Sequence, residues 1–163
     1  MFFLVCVHII FIYIYKSMKD KTIDYILRNT WHAVARMYNE QANQYGATMA
    51  TGFVLLNLDK EAGTPSTLLA PKLGMEPSSL TRTLKTMEAK GLICRKKNPE
   101  DGRGVLIFLT DFGKEKRDLS RETVLKFNEK VRSSLSAQQL QHFTEAAEII
   151  TNMIAHKKIF ENY

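Results

Sequence analysis

Cationic side chains interleaved with small hydroxyl residues are the groups in this 163-residue sequence whose type and spacing suit a chemical task. Between Thr64 and Thr110 lie Lys72, Arg82, Lys85, Lys90, Arg95, Lys96, Lys97 and Arg103, against only Glu76, Glu88, Glu100 and Asp101, so this stretch carries +4 of the chain's net +6. Such a concentration of positive charge suits a polyanion, either nucleic acid or an anionic membrane surface. The groups that catalysis needs do not assemble. Cys6 and Cys94 are far apart and follow no metal or redox spacing, and His8, His32, His142 and His156 are scattered without a carboxylate cluster. No glycine-rich phosphate loop or nucleophile elbow is present. The expectation is a binding protein with no catalytic residues, no metal and no cofactor.

The elements that would position these cations are mostly helical. Ile23, Leu27, Trp31, Val34 and Tyr38 form one helical stripe, widened by Ile26, Ala33 and Met37. After Gly46, the residues Met49, Phe53, Leu55 and Leu56 mark a second helix ending near 59–63, with Gly63 as a stop. Thr64-Pro65 reads as an N-cap followed by proline at the first helical position, opening a short helix to Leu73. Pro71, which lacks an N–H, should kink that helix. Gly74 breaks the pattern, and Pro77 opens a further helix through Lys90, with Leu80, Leu84 and Met87 inward and Gly91 at its end. This is a helix, a tight turn and a helix. Two strand-like runs, 92–97 and 105–109, flank the turn-rich segment 98–104 and predict a β-hairpin wing. Thr110 or Asp111 then caps a long helix to about Ser134 with Val124, Phe127, Val131 and Leu135 inward. Ser136-x-x-Gln139 is a capping box, stapled by Leu135 and Leu140, for a last helix carrying Phe143, Ala147, Ile150 and Ile154.

With Leu80, Leu84 and Met87 facing the core, a step of about 100° per residue turns Ser78, Arg82, Lys85 and Ala89 outward, with Thr86 beside them. That face suits a major groove: Arg82 can pair bidentately with guanine, Ser78 and Thr86 can reach bases or phosphates, and Ala89 permits close approach. Arg103, flanked by glycines at the hairpin tip, is placed for a narrow minor groove. Asp101 braces Arg103 or the loop backbone. Phe108, at an outward strand position, is expected to pack under the wing.

The N-terminal run from Phe2 to Tyr15 is apolar except for His8. It is shorter than the roughly 20 residues that span a bilayer, and neither a preceding basic residue nor a small-residue cleavage site frames it as a secretory signal. An apolar leader and a chain that starts at Met18 both remain open. The domain boundaries expected are an apolar leader over 1–17, supporting and dimerising helices over 18–62, a winged helix-turn-helix over 63–110 and dimerising helices over 111–163. The terminal stripes are broader than a small central module can cover, so a second subunit is the simplest way to bury them.

The run SSLTRTLKTMEAKGLI, followed by NPEDGRGVLIFLTDFG, resembles the recognition helix and wing of the MarR family of regulators, most closely from Ser78 to Gly113. The resemblance implies a homodimer with interlocked terminal helices, binding a near-palindromic DNA site and often released by a small ligand or by thiol oxidation. It also implies that Thr81 and Arg82 are recognition-helix contacts, and that Asp101 and Arg103 are the wing acid and the wing-tip arginine. Gly102 stands where a second basic residue is common in the family, which implies weaker minor-groove binding.

The reading as a whole is a mainly α protein with a small β-wing, a winged helix-turn-helix between N- and C-terminal dimerisation helices. Its expected function is transcription regulation, as a repressor in the cytoplasm, with double-stranded DNA and a second copy as partners and no membrane. The DNA-binding set is Ser78, Ser79, Thr81, Arg82, Lys85, Thr86, Arg95, Lys96, Lys97, Asp101 and Arg103. A small aromatic or amphipathic effector is assigned to Trp31, Arg36, Tyr38, Met49 and Phe53, for which ordinary core packing is the competing role. Cys94 near the wing reads either as a small buried apolar residue or as an oxidant sensor. An interaction module that uses the same fold without specific DNA binding is the other function class.

Overall fold

The computed structural model describes residues 22–99 and 104–160, so the readings made on the 1–17 leader, on Asp101 and on Arg103 lie outside the described residues. Along the described chain the order is α1 (Ile23–Asn43), α2 (Met49–Asn57), β1 (Thr64–Pro65), α3 (Ser66–Leu73), α4 (Pro77–Ala89), β2 (Ile93–Lys97), β3 (Val105–Leu109), α5 (Asp111–Ser133) and α6 (Ala137–Ala155). At α2, α5 and α6 the helix start follows a side chain that satisfies one of its first amides. Thr48 accepts from Thr51 N at the head of α2. Thr110 Oγ1 accepts from Gly113 N at 2.9 Å while donating to Gly91 O at 2.6 Å, tying the start of α5 to the end of α4. Ser136 and Gln139 form the reciprocal capping box expected for α6.

One expected cap is different. Thr64 and Pro65 form a two-residue edge strand, antiparallel to β3 in the register Thr64 with Ile107 and Pro65 with Leu106. Thr64 Oγ1 accepts from Asp59 N at 2.9 Å, so its oxygen faces the preceding loop, and Pro65 takes the N-cap place before Ser66. Pairing with the exposed edge of β3 outweighs the local cap preference, and an edge is where a sheet tolerates a proline. Gly63 likewise does not stop α2, which ends at Asn57. A Cβ on Gly63 would lie 2.5 Å from the Phe108 ring. Glycine is required there for close approach, and Phe108 packs beneath the wing as expected.

The sheet order is β1-β3-β2. Val54, Leu55 and Leu58 from α2 and its end, Leu69 from α3, Leu80, Leu84 and Met87 from α4, Leu92 just before β2, and Ile93, Ile107 and Leu109 from the sheet form one buried core. Thus the period-2 residues of the wing and the helical stripe of α4 meet on one apolar centre. At about 25 cal/mol per Å² of apolar surface removed from water, this centre is the main source of the module's stability.

The terminal helices contrast with it. No residue of α1 or α6 is buried within the described protomer. Val124 and Phe127 of α5 are half-buried, but Val131 and Leu135, expected inward, are exposed, as are Phe143 and Ile154 of α6. The reason is geometric: α5 packs on α2 and β3, whereas α6 has no substantial packing with any other element of the described protomer.

Candidate nucleic-acid interface

Helix α4 presents the expected two faces. Leu80, Leu84 and Met87 are at most 4% exposed, whereas Ser78, Thr81, Arg82, Lys85, Thr86 and Ala89 lie on the solvent side and Ser79 is half-buried. Among the described residues neither Arg82 nor Lys85 has an ion-pair partner, so both charges are available to a ligand. Thr81 Oγ1 donates to Pro77 O at 2.8 Å, and Thr86 Oγ1 donates to Arg82 O at 3.1 Å. With their protons used inside the helix, these hydroxyls offer acceptor lone pairs and methyl groups outward. They therefore suit a base amino group or a thymine methyl better than a phosphate, which presents only acceptors.

The pleat of β2 divides the three basic residues that follow. Arg95 lies opposite Ile107, a core residue, on the strand face that meets α4; Lys96 lies opposite Leu106 on the other face. Arg95 Nε is 2.9 Å from Glu88 Oε2, so it braces the wing against α4. The ammonium of Lys96 sits 4.7 Å from the centre of the Phe108 ring, a cation–π contact that holds the lysine along the strand. Lys97, paired with Val105, shares the face of Arg95 farther toward the hairpin tip. Cys94 is half-buried opposite Phe108. Hence 95–97 is not a uniform basic strip: alternate residues point to opposite sides.

A cavity of about 390 Å³ opens between the end of α1, the α1–α2 turn, α2, α5 and the end of α4. Of the residues assigned to an effector, Tyr38, Met49 and Phe53 line it and Trp31 and Arg36 do not. Two helical steps turn Arg36 to the far side of α1 from Tyr38. Trp31 is on the correct face but nearly two turns away, where its ring meets Phe53 at 6.4 Å. The Tyr38 ring contacts Phe53 at 6.2 Å and Phe127 at 5.5 Å, and burial pushes its hydroxyl pKa above the ordinary tyrosine value. Sequence reasoning missed Tyr45, Phe112, Lys116, Ser120 and Thr123. The last four recur at helical spacing on α5, a signal that was present but is shared with any amphipathic helix. Among the described residues there is no cluster of metal-ligating side chains, and no helix is long and apolar enough to cross a membrane.

Two helices joined by a tight turn, preceded by an edge strand and followed by a two-stranded wing whose sheet that strand closes, define a winged helix-turn-helix protein. Residues 47–105, just over a third of the chain, match the model of the MarR family. It is 34% identical over 71 residues to an uncharacterized HTH-type transcriptional regulator, YdgJ, of Bacillus subtilis, covering 44% of this chain and 43% of that one. It is 32% identical over 106 residues to the HTH-type transcriptional repressor MdtR of the same organism, covering 65% of this chain and 63% of the relative. The matches thus span less than two thirds of either relative's length. Among solved structures, a Staphylococcus aureus MepR–DNA complex superposes with a TM-score of 0.76 at 20% identity, covering 83% of this chain and 99% of that one, a likeness of fold. Members of the family are transcriptional regulators and not enzymes.

Proposed function

We propose that this protein is a cytoplasmic, sequence-specific DNA-binding regulator, acting as a homodimeric repressor on a near-palindromic operator. The observation that carries the reading is the outer face of α4, where Arg82 and Lys85 stand without ion partners among the described residues, beside Thr81 and Thr86 and over a fully packed inner face. A rigid helix with free cations and small side chains is what a major groove accepts. The exposed apolar stripes of α1, α5 and α6 support the dimer, because two such modules then sit on one symmetric support. Asp101 and Arg103 are assigned to the wing tip, with Arg103 in the flanking minor groove. The domain division proposed is that of the sequence: helices for dimerisation on either side of the 63–110 module.

The cavity is proposed to take a small aromatic or amphipathic effector that weakens DNA binding, with Tyr38, Met49 and Phe53 among its contacts. To matter, the effector must prefer the DNA-incompetent state by about 1 to 3 kcal/mol. Selection of bound sequences from a random duplex pool tests the whole reading. A two-fold motif is the expected result; enrichment of no motif at moderate salt would favour the interaction-module reading instead.

A further inference from the structure

The loop that joins α2 to β1 is held from within. Asp59 Oδ1 accepts from the amides of Glu61 and Ala62 at 2.8 and 2.7 Å, and Asp59 N donates to Thr64 Oγ1 at 2.9 Å. A loop closed by its own aspartate in this way has few ways to move except as a unit. Two of its side chains reach α5. Lys60 Nζ donates to Asp118 Oδ2 at 3.1 Å, and Lys114 Nζ donates to Glu61 Oε2 at 3.1 Å. Arg117 adds its charge beside Asp118, with Nη1 3.7 Å from Oδ1. None of these five side chains lines the cavity.

The polarity of the two pairs matters more than their strength. Lys60 and Glu61 are adjacent and opposite in charge, and Lys114 and Asp118 stand four residues apart on one face of α5, also opposite in charge. As observed, both contacts are attractive. Exchanging the partners, with Lys60 at Lys114 and Glu61 at Asp118, would turn both repulsive. The pattern therefore selects one seat for the loop, although each exposed pair by itself contributes little. Directly after the loop, β1 pairs with β3 at the edge of the wing, and α3 starts at Ser66 with no residue between. β1 packs on β3 and α3 and has no substantial packing of its own on α5. The two ion pairs thus join the entry of the helix-turn-helix to the helix that leads into the proposed dimerising region.

We propose that Lys60, Glu61, Lys114 and Asp118 are positioning residues for DNA recognition: together they seat the α2–β1 loop on α5 in one register and so set the angle at which each winged module stands on the dimer. The proposal rests on the reading of the protein as a homodimer with α4 in the major groove, and adds what holds the module at its angle. When the seat loosens, the distance between the two recognition helices spreads over a wider range, and the preference for one half-site spacing falls.

The test uses the full chain and three variants of it, E61K, K114E and the exchange E61K/K114E. Each single variant sets like charges together, and the double variant restores an attractive pair at the original net charge. E61K adds positive charge and K114E removes it, so a merely electrostatic effect on DNA moves the two in opposite directions, whereas a lost seat moves them alike. Hydrogen exchange of the free proteins reads the seat without DNA. The amides of 59–64 should exchange faster in both single variants, and wild-type protection should return in the double; equal exchange in the single variants and wild type overturns the seat. Spacing preference is the affinity for the selected site divided by that for versions one base pair shorter and longer. Each single variant should lower it about twofold to fivefold, as loss of an exposed ion pair implies, and the double variant should recover it. A wild-type ratio in both single variants, ratios that move in opposite directions, or a double variant no better than the singles overturns the positioning role. A wild-type protein that binds no duplex defeats the proposed function instead, while hydrogen exchange still decides the seat.

Discussion

The carboxylate of Glu88 on α4 holds Nε of Arg95 on β2 at 2.9 Å, so the first strand of the wing is braced to the helix beside it by an ion pair as well as by the core. Both side chains are a third or more exposed, and solvent screening limits the pair to about 0.2–1 kcal/mol of stability. Its consequence is therefore orientation. Arg95→Ala and Glu88→Ala should each lower stability by no more than about 1 kcal/mol, and a double-mutant cycle should show them coupled. For DNA, Glu88→Ala frees Arg95 and should strengthen nonspecific binding at low salt, while Arg95→Ala weakens it. Additive effects of the two substitutions on both stability and DNA affinity would show that the pair does not act as a brace.

Arg82→Ala should cost about 1 to 3 kcal/mol for each base the arginine reads and relax specificity at that base. Lys96→Ala should weaken all duplexes alike and reduce the salt slope by about one phosphate contact. Arg103→Ala should weaken binding most where A·T pairs flank the half-sites. Titrations at two salt concentrations against the selected and a scrambled duplex separate the three; wild-type affinity in a folded Arg82→Ala variant would remove α4 from the recognition role.

Concentration-dependent melting should accompany the proposed dimer. Phe143 is 65% exposed and Ile154 62% exposed in the protomer, and both lie on the uncovered stripe of α6. The pair of substitutions Phe143→Asp and Ile154→Asp should yield a monomer in sedimentation, with the winged module still folded and DNA affinity sharply reduced. A double variant that sediments like wild type would place the dimer contact elsewhere.

Gly113 sits in the first turn of α5 directly under the end of α4, and a Cβ there would fall 1.9 Å from the Leu92 carbonyl oxygen. Backbone cannot yield as a side-chain tip does. Gly113→Ala should destabilise the protein by about 1 to 3 kcal/mol or more, the range for overpacking, read as a lower urea midpoint. An unchanged midpoint would mean that α5 can shift away from Leu92 without cost.

Asp59 accepts hydrogen bonds from the amides of Glu61 and Ala62, which hold its carboxyl below the ordinary aspartate range, with the Arg117 charge adding to the effect. Because the folded pKa is the lower one, the group stabilises the fold above the unfolded value of 3.8 and that contribution fades as pH falls through the folded value. Asp59→Ala should therefore reduce stability at neutral pH and flatten the acid limb of the melting curve. The same acid dependence in the variant and wild type would assign the limb to other carboxylates.

The recognition face and the cavity differ in how far local pattern reveals them. Leu80, Leu84 and Met87 were legible as an inner face because helical geometry alone determines which residues of α4 lie opposite them. The sequence by itself likewise determined the order of elements, the Ser136–Gln139 capping box and the wing strands, since each depends on residues close in the chain. Tertiary structure decided what depends on distant neighbours. The edge of β3 turned Thr64 and Pro65 from a cap into a strand, and the Phe108 ring demanded Gly63. Glu88 took Arg95 out of the row of free cations, and the pleat turned Lys96 away from it. The cavity gathered Tyr38 with Phe112, Lys116 and Thr123 from a helix more than 70 positions away, leaving Trp31 and Arg36 outside its wall. Periodicity states which way a side chain faces on its own element; what stands opposite it is settled only when the elements pack.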